Sequence, residues 1–242
     1  MRFAPIAKLS TLLPSACALC GEHGQQVLCA PCQRRYLGTA QQRCRQCALP
    51  VVDDAKGDSN AVCGACLRDA PAFDNTITAC NYAAPLDQLV LNLKFGHQLA
   101  LAPVFSSLLR DAILERRNAA LPDILSIVPL GKARLAERGF NQALEIARPL
   151  ARQLGIPLAA QLLQRARETA QQSGLHPDDR QKNVRNAFAL APEAMDSIKG
   201  RHVGIFDDVM TTGTTLNEIA AMLKRFGAEK VSNYVFARTL PH

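Results

Sequence analysis

Between residues 17 and 66 the sequence carries four C-x-x-C pairs, Cys17/Cys20, Cys29/Cys32, Cys44/Cys47 and Cys63/Cys66, with Cys80 the only cysteine left over. Nine cysteines scattered at random over 242 residues would produce about 0.3 such pairs, so the spacing is chemical rather than compositional. Two intervening residues let both thiolates face one ion from a tight turn. Two such turns supply the closed tetrahedral sulfur shell of structural zinc. Eight ligands predict two zinc ions. The pairs can combine in order, Cys17, Cys20, Cys29 and Cys32 for one ion and Cys44, Cys47, Cys63 and Cys66 for the other, or interleave as a cross-brace; spacing alone allows both. In the first and third pairs, CALCG and CRQCALP, a small or turn-forming residue follows the second cysteine. The intervening chain is poor in large apolar residues, so metal binding would supply its folding energy. A thioredoxin-type centre would need a single C-x-x-C opening a helix in a βαβ unit, and ferredoxin spacings are absent.

Composition narrows the rest. With 48% hydrophobic and 20% charged residues the chain is globular, and its length suits a large domain plus a small one. No run approaches the roughly 20 apolar residues of a membrane span, so no membrane insertion is expected. The net charge of +7 favours anionic partners, but the excess is spread out: residues 1–70 carry 8 basic and 5 acidic side chains, the remainder 20 and 16. The opening segment has a faint likeness to a lipoprotein signal. Lys8 and Pro14 interrupt its apolar stretch and Cys17 belongs to a pair, so it reads as a short leader of a cytoplasmic protein, where C-x-x-C clusters are ligands more often than disulfides.

From residue 72 onward strand-like and helix-like segments alternate. Residues 76–82, 124–129, 202–206 and 231–237 read as strands; residues 86–93, 98–117, 141–154 and 214–226 read as helices. Cys80 is expected to be a buried strand residue. Residues 165–187 are polar and suggest a loop or hood. The alternation predicts an α/β fold, a parallel sheet with helices on both faces, over residues 72–242, preceded by a cysteine-rich module over residues 1–71. If the modules are independent, losing Cys63 would unfold the first alone. Ligands of such sheets bind beyond the carboxyl ends of the strands.

The densest chemistry lies in Ile205-Phe-Asp-Asp-Val-Met-Thr-Thr-Gly-Thr-Thr215. An apolar strand delivers Asp207 and Asp208 at its end, and a turn of Thr211, Thr212, Gly213, Thr214 and Thr215 opens a helix. Backbone N–H groups at a helix start, with hydroxyls around them and a glycine that lets the chain close in, make a phosphate cradle. The adjacent acids can hold ribose hydroxyls or meet Mg²⁺ through its waters; they repel each other unless a cation or hydroxyl meets them. Thr214 could also be a plain N-cap. The G-x-x-x-x-G-K-[ST] of a P-loop is absent.

This string resembles the phosphoribosyl-diphosphate motif of type I phosphoribosyltransferases. Arg134-Leu-Ala-Glu-Arg138-Gly-Phe-Asn-Gln142 resembles the R-x-x-x-R-G-F-N-Q segment of the ComF family of competence proteins. Leu93-Lys-Phe-Gly96 is similar to that family's K-F-x-G segment. Gln172, Leu175, Arg180, Asn183 and Phe188 are similar to its Q-x-x-L…R-x-x-N…F loop, and the paired cysteines to its double zinc-ribbon module. The resemblance implies a ligand, 5-phospho-α-D-ribose 1-diphosphate with Mg²⁺. It implies that Thr211–Thr215 clamp the 5-phosphate, that Asp207 and Asp208 hold the ribose, and that Lys132, Arg134 or Arg138 meet the diphosphate. Lys94, Asn141, Gln142, Gln172 and Arg180 would complete the site, and residues 165–187 would close over it. Asn141 could equally cap the helix after it, and Lys94 could be a solvated charge. It further implies a link to DNA uptake. The rival class is a non-catalytic single-stranded-DNA-binding or nucleotide-sensing factor, against which stand the few aromatics, 5% of the chain.

Elemental analysis of protein purified without added metal is expected to find about two zinc equivalents per chain and no iron; visible absorbance with stoichiometric iron would contradict the zinc assignment.

Overall fold

A computed structural model describes residues 15–37, 41–51, 61–116, 120–166 and 187–241. β1 (Ser15–Ala16) and β2 (His23–Gly24) pair antiparallel, and α1 (Ala30–Leu37) follows directly on Cys29. α2 (Gly64–Arg68) follows Cys63 in the same way. Then come β3 (Asn75–Asn81), α3 (Leu86–Phe95), α4 (Leu101–Glu115), β4 (Ile124–Ile127), α5 (Lys132–Arg138), α6 (Gln142–Leu154), β5 (Leu163–Arg165), β6 (Phe188–Leu190), β7 (His202–Met210), α7 (Thr214–Arg225) and β8 (Lys230–Arg238). The leader and most of the polar hood, with Gln172, Leu175, Arg180 and Asn183, lie outside the described residues. No helix among the described residues is long and apolar enough to cross a membrane.

The central sheet has the order β3-β8-β7-β4, all parallel, with Ile205 opposite Asn233 and Ile77 opposite Tyr234. Because side chains alternate along a strand, the sheet's two faces take different partners. Phe206, Tyr234 and Phe236 face Leu89 and Leu93 of α3, Phe105 and Leu109 of α4, and Ile146 and Leu150 of α6. Phe105 stacks flat on Phe236, centroids 3.7 Å apart. On the other face Val203, Ile205, Val231 and Val235 meet Leu216, Ile219 and Leu223 of α7. This is the expected α/β architecture with helices on both faces. Cys80 is buried in β3, its thiol against the Phe236 carbonyl at 3.5 Å.

Two expectations change. The strand expected over residues 202–206 runs on to Met210, because β8 continues to pair with it through Val209–Ala237 and Met210–Arg238. The two acids therefore sit inside β7 rather than at its end. Second, the cysteine module is not a separate bead. Cys17, Leu28 and Cys32 are buried in the cluster of α3, α4 and α6, while Cys44, Cys47 and Cys66 are buried with Phe73, Met210 and Leu216. The contact is also polar: Asn81 Nδ2 donates to Gln41 Oε1 at 3.1 Å, and Thr76 N–H donates to the Arg45 carbonyl at 2.9 Å.

Shared burial predicts that the two parts unfold together. Cys66→Ser is expected to lower the unfolding temperature of the whole chain by about 5 °C or more, in a single calorimetric transition. Loss of a small early transition with the main one unmoved would show independent modules.

Candidate functional site

The cysteines group in sequence order. The sulfurs of Cys17, Cys20, Cys29 and Cys32 lie within 4.8 Å of one another, and so do those of Cys44, Cys47, Cys63 and Cys66. The first and third pairs sit in turns closed by left-handed residues, Gly21 (φ 74°) and Ala48 (φ 58°), each just past the second cysteine. The second and fourth pairs open α1 and α2, whose first residues follow Cys29 and Cys63. In each cluster a backbone N–H donates to a sulfur, Cys29 to Cys17 at 3.4 Å and Cys63 to Cys44 at 3.3 Å. Burial works against ionisation, but backbone N–H donors, Cys29 and Cys20 toward Cys17 and Cys47 and Cys63 toward Cys44, bring Cys17 down to about 6 and Cys44 to about 7, while burial and neighbouring thiols push Cys32 to about 12 and Cys47 to about 11. Sulfur separations of 3.7 Å (Cys20–Cys29) and 3.6 Å (Cys47–Cys63) fit a tetrahedral zinc centre, whose bonds of about 2.3 Å place its sulfurs about 3.8 Å apart. The donor set and spacing fit two structural zinc ions.

A cleft of about 580 Å³ opens at the carboxyl edge of the sheet. It brings together Lys94, Arg134, Arg138, Asn141, Gln142, Asp207, Asp208, Thr211 and Thr215. Thr212, Gly213 and Thr214 belong to the same turn but do not line the cleft, and Lys132 is exposed at the start of α5, also off its wall. Unanticipated side chains complete the lining, among them Tyr82, Phe95, Glu137, Arg165 and Thr239. Phe95 and Glu137 lie inside the Leu93–Gly96 and Arg134–Gln142 segments at positions the reading passed over, whereas Tyr82 and Thr239 carry no motif and reach the cleft only through the fold.

Strand alternation assigns the two acids different tasks. Asp208 shares the face of Phe206 and points toward α3, where Lys94 Nζ meets its Oδ2 at 2.8 Å. Asp207 shares the face of Ile205 and is only partly buried. The compensation expected from ligand is thus already half present in the protein, as Lys94. Burial works against ionisation of Asp208, but the Lys94 ammonium and the Val209 N–H, donating to Oδ1 at 2.8 Å, hold it below the usual carboxylate range. Burial and the Asp208 charge push Asp207 up to about 8. The arrangement thus favours the charge on Asp208 and the proton on Asp207.

Around them, Asn141 caps α6, its Oδ1 accepting from the Ala143 N–H at 2.9 Å, while its Nδ2 donates to the Val128 carbonyl at 3.4 Å and ties the helix to the end of β4. Asn141 is thus the helix cap foreseen for it, and it stands at the cleft wall. Arg138 Nη1 donates to Gln142 Oε1 at 2.6 Å and lies over the Phe95 ring at 5.0 Å. The chain turns between α5 and α6 at Gly139 (φ 78°). The turn before α7 has Gly213, not Thr214, as N-cap, with φ 85° and no side-chain cap; a β-carbon there would fall 2.4 Å from Met210 Cε. At the helix start the Thr212 hydroxyl lies 2.7 Å from that of Thr214 and accepts the Thr214 N–H at 3.4 Å.

Parallel topology, a cleft at its carboxyl edge behind an acidic strand and a threonine turn, and two tetracysteine clusters define a phosphoribosyltransferase-fold protein carrying a double zinc ribbon. The family model described as the phosphoribosyl transferase domain matches residues 141–240, and the double zinc ribbon domain matches residues 8–72. The DNA utilization protein YhgH of Escherichia coli (strain K12) is 36% identical over 234 residues, 94% of this chain and 99% of that protein. Competence protein F of Haemophilus influenzae is 35% identical over 179 residues, 73% of this chain and 78% of that protein. Competence protein ComFC of Streptococcus pneumoniae is 22% identical over 232 residues, 95% and 96% of the two chains. The chain belongs to the ComF family.

The separated roles of the acids are open to single substitutions. The folded state holds a proton on Asp207 that the unfolded chain releases between about pH 4 and 8, so this group makes stability fall as pH rises through that window. Asp207→Asn is expected to keep or raise the unfolding temperature at pH 8. Asp208 does the reverse: its contribution is present above about pH 4 and lost on further acidification. Asp208→Asn strands Lys94 and is expected to cost about 1–3 kcal/mol at pH 7. Equal effects of the two changes in thermal melts would contradict the assignment.

Proposed function

We propose that the cleft binds Mg²⁺-phosphoribosyl diphosphate and transfers the phosphoribosyl group to an acceptor. The observation that carries this reading is the convergence of Asp207, Asp208, Thr211 and Thr215 with Arg134 and Arg138 around one opening. A five-carbon sugar bearing phosphate at one end and diphosphate at the other needs such a sequence of groups: an anion cradle, hydroxyl acceptors and cations. The N-terminus of α7, where the N-cap Gly213 has no side chain to offer, and the threonine hydroxyls suit the 5-phosphate. Asp207 and Asp208 suit the ribose hydroxyls. Arg134 and Arg138, the latter oriented by Gln142 and Phe95, suit the diphosphate, to which the resemblance also assigns Lys132; Gln172 and Arg180, binding residues by the same resemblance, lie outside the described residues.

In the transfer the C1–O bond to diphosphate breaks with its electron pair leaving on the diphosphate oxygen, and a lone pair of the acceptor forms the new bond to C1. The protein's part is to hold both partners in line and to balance charge as the sugar becomes cation-like. The Asp208 carboxylate, kept ionised by Lys94, places fixed negative charge near that sugar. Arg134 and Arg138 would face the departing diphosphate, whose charge Mg²⁺ bound with the substrate would help to neutralise. The names of the relatives, which speak of DNA utilization and competence, support DNA uptake or use as the setting. In that setting the rival is a factor that binds single-stranded DNA without transferring anything; diphosphate release with a panel of bases, against DNA binding at two salt concentrations, separates the two readings.

Because Asp207 is held protonated up to about pH 8, a ligand that brings Mg²⁺ or a ribose hydroxyl donor favours its ionised form and expels the proton. Calorimetry of Mg²⁺-phosphoribosyl diphosphate binding in two buffers of different ionisation enthalpy is expected to show proton release at pH 7, with affinity rising between pH 6 and about 8. Asp207→Asn is expected to reduce the buffer dependence to the part contributed by the ligand's own phosphates. Absence of binding at any pH would refute the proposed ligand.

A further inference from the structure

Arg238 is the last residue of β8 and is 5% exposed. Its Nε donates to the carbonyl of Cys47, a ligand of the second cysteine cluster, at 2.8 Å. Its Nη1 donates to the carbonyls of Met210 (3.1 Å), Thr211 and Thr239 (2.7 Å). Among the described residues no carboxylate pairs with it. A guanidinium buried on carbonyl groups and the sulfurs of the second cluster, Cys47 nearest, is costly, and an apolar side chain would fill the space more cheaply. What an apolar side chain could not do is hold two distant pieces of backbone at once.

The two pieces are the zinc knuckle and the threonine turn. The peptide unit is planar and trans, so fixing a carbonyl also fixes the N–H of the next residue in the opposite direction. Arg238 thereby sets the N–H groups of Thr211 and Thr212, the first donors of the anion loop. At its other end it holds the Cys47 carbonyl, whose peptide continues into Ala48 N–H, bonded to the Cys44 carbonyl at 2.9 Å within the knuckle. A tetrathiolate zinc centre carries two net negative charges, so the loaded knuckle also supplies the buried cation's missing counter-charge.

We infer that Arg238 is a positioning residue that couples occupancy of the second zinc site to ligand binding at the threonine loop. Zinc in Cys44, Cys47, Cys63 and Cys66 preorganises the loop, and ligand in the cleft slows zinc loss from that cluster, because coupling between two sites is reciprocal. The inference rests on the reading of the cleft as a phosphoribosyl-diphosphate site.

The test uses the full-length, zinc-loaded protein. Calorimetry first establishes binding of Mg²⁺-phosphoribosyl diphosphate; zinc release to a chromogenic chelator is then followed with and without saturating ligand, and alkylation with mass mapping identifies which thiols have been freed. The ligand is expected to slow release of the equivalent held by Cys44, Cys47, Cys63 and Cys66 by roughly 5-fold or more and to leave the other unchanged. Arg238→Lys, which keeps the charge but not the fork, is expected to bind more weakly and to lose the selective protection even at saturation. If the ligand does not bind, the reading of the cleft falls and the coupling with it. If it binds but slows neither equivalent, or both alike, only the coupling is overturned. Full protection in Arg238→Lys would remove Arg238 as the link.

Discussion

Sulfur coordination is the constraint on which this structure turns. Residues 15–72 contain few large apolar side chains, yet Cys17, Leu28 and Cys32 cover one part of the sheet and Cys44, Cys47 and Cys66 another. Segments so short cannot hold a buried position by their own hydrophobicity; four thiolates per zinc ion would tie them into turns, and the closed turns present buried sulfur and carbonyl groups to the sheet. The ribbon is in this sense part of the core of the α/β module. Its knuckle carbonyl at Cys47 ends on Arg238, beside the loop that opens α7.

The second organising feature is the strand pleat of β7. Two adjacent acids in an apolar strand would be unfavourable if they shared an environment. Alternation sends Asp208 to the α3 side, where Lys94 neutralises it at 2.8 Å, and leaves Asp207 on the opposite face, protonated to about pH 8. One dipeptide thereby supplies a fixed charge and a titratable group a few ångströms apart. A parallel sheet makes this useful, because all its strands end at the same edge and deliver Asn141, Arg138 and the Thr211–Thr215 turn to a common cleft.

Much of this was legible beforehand. The long strands and helices of residues 75–238 carry enough period-two and period-3.6 signal to be read directly, and C-x-x-C spacing announces its own chemistry. Gly21 and Ala48 could be anticipated as turn residues because each follows a pair of cysteines that must fold back on one ion. The short elements were not legible: α1, α2 and α5 span 8, 5 and 7 residues, and β5 and β6 three each, too few for any periodicity to accumulate. The extension of β7 to Met210 was missed because acids depress strand propensity, and pairing with β8 overrides that preference.

Sequence alone determined the metal chemistry, the α/β class and the residue types of the cleft, since each depends on local spacing, and spacing is a property of the chain. Tertiary structure decided which cysteine pairs join, that Lys94 belongs to Asp208, that Gly213 rather than Thr214 caps α7, and that Arg238 links the ribbon to the threonine loop. These pairings connect positions far apart in the chain; Lys94 and Asp208, or Cys47 and Arg238, leave no periodic trace, because what brings them together is the register of a parallel sheet and the burial of its two faces.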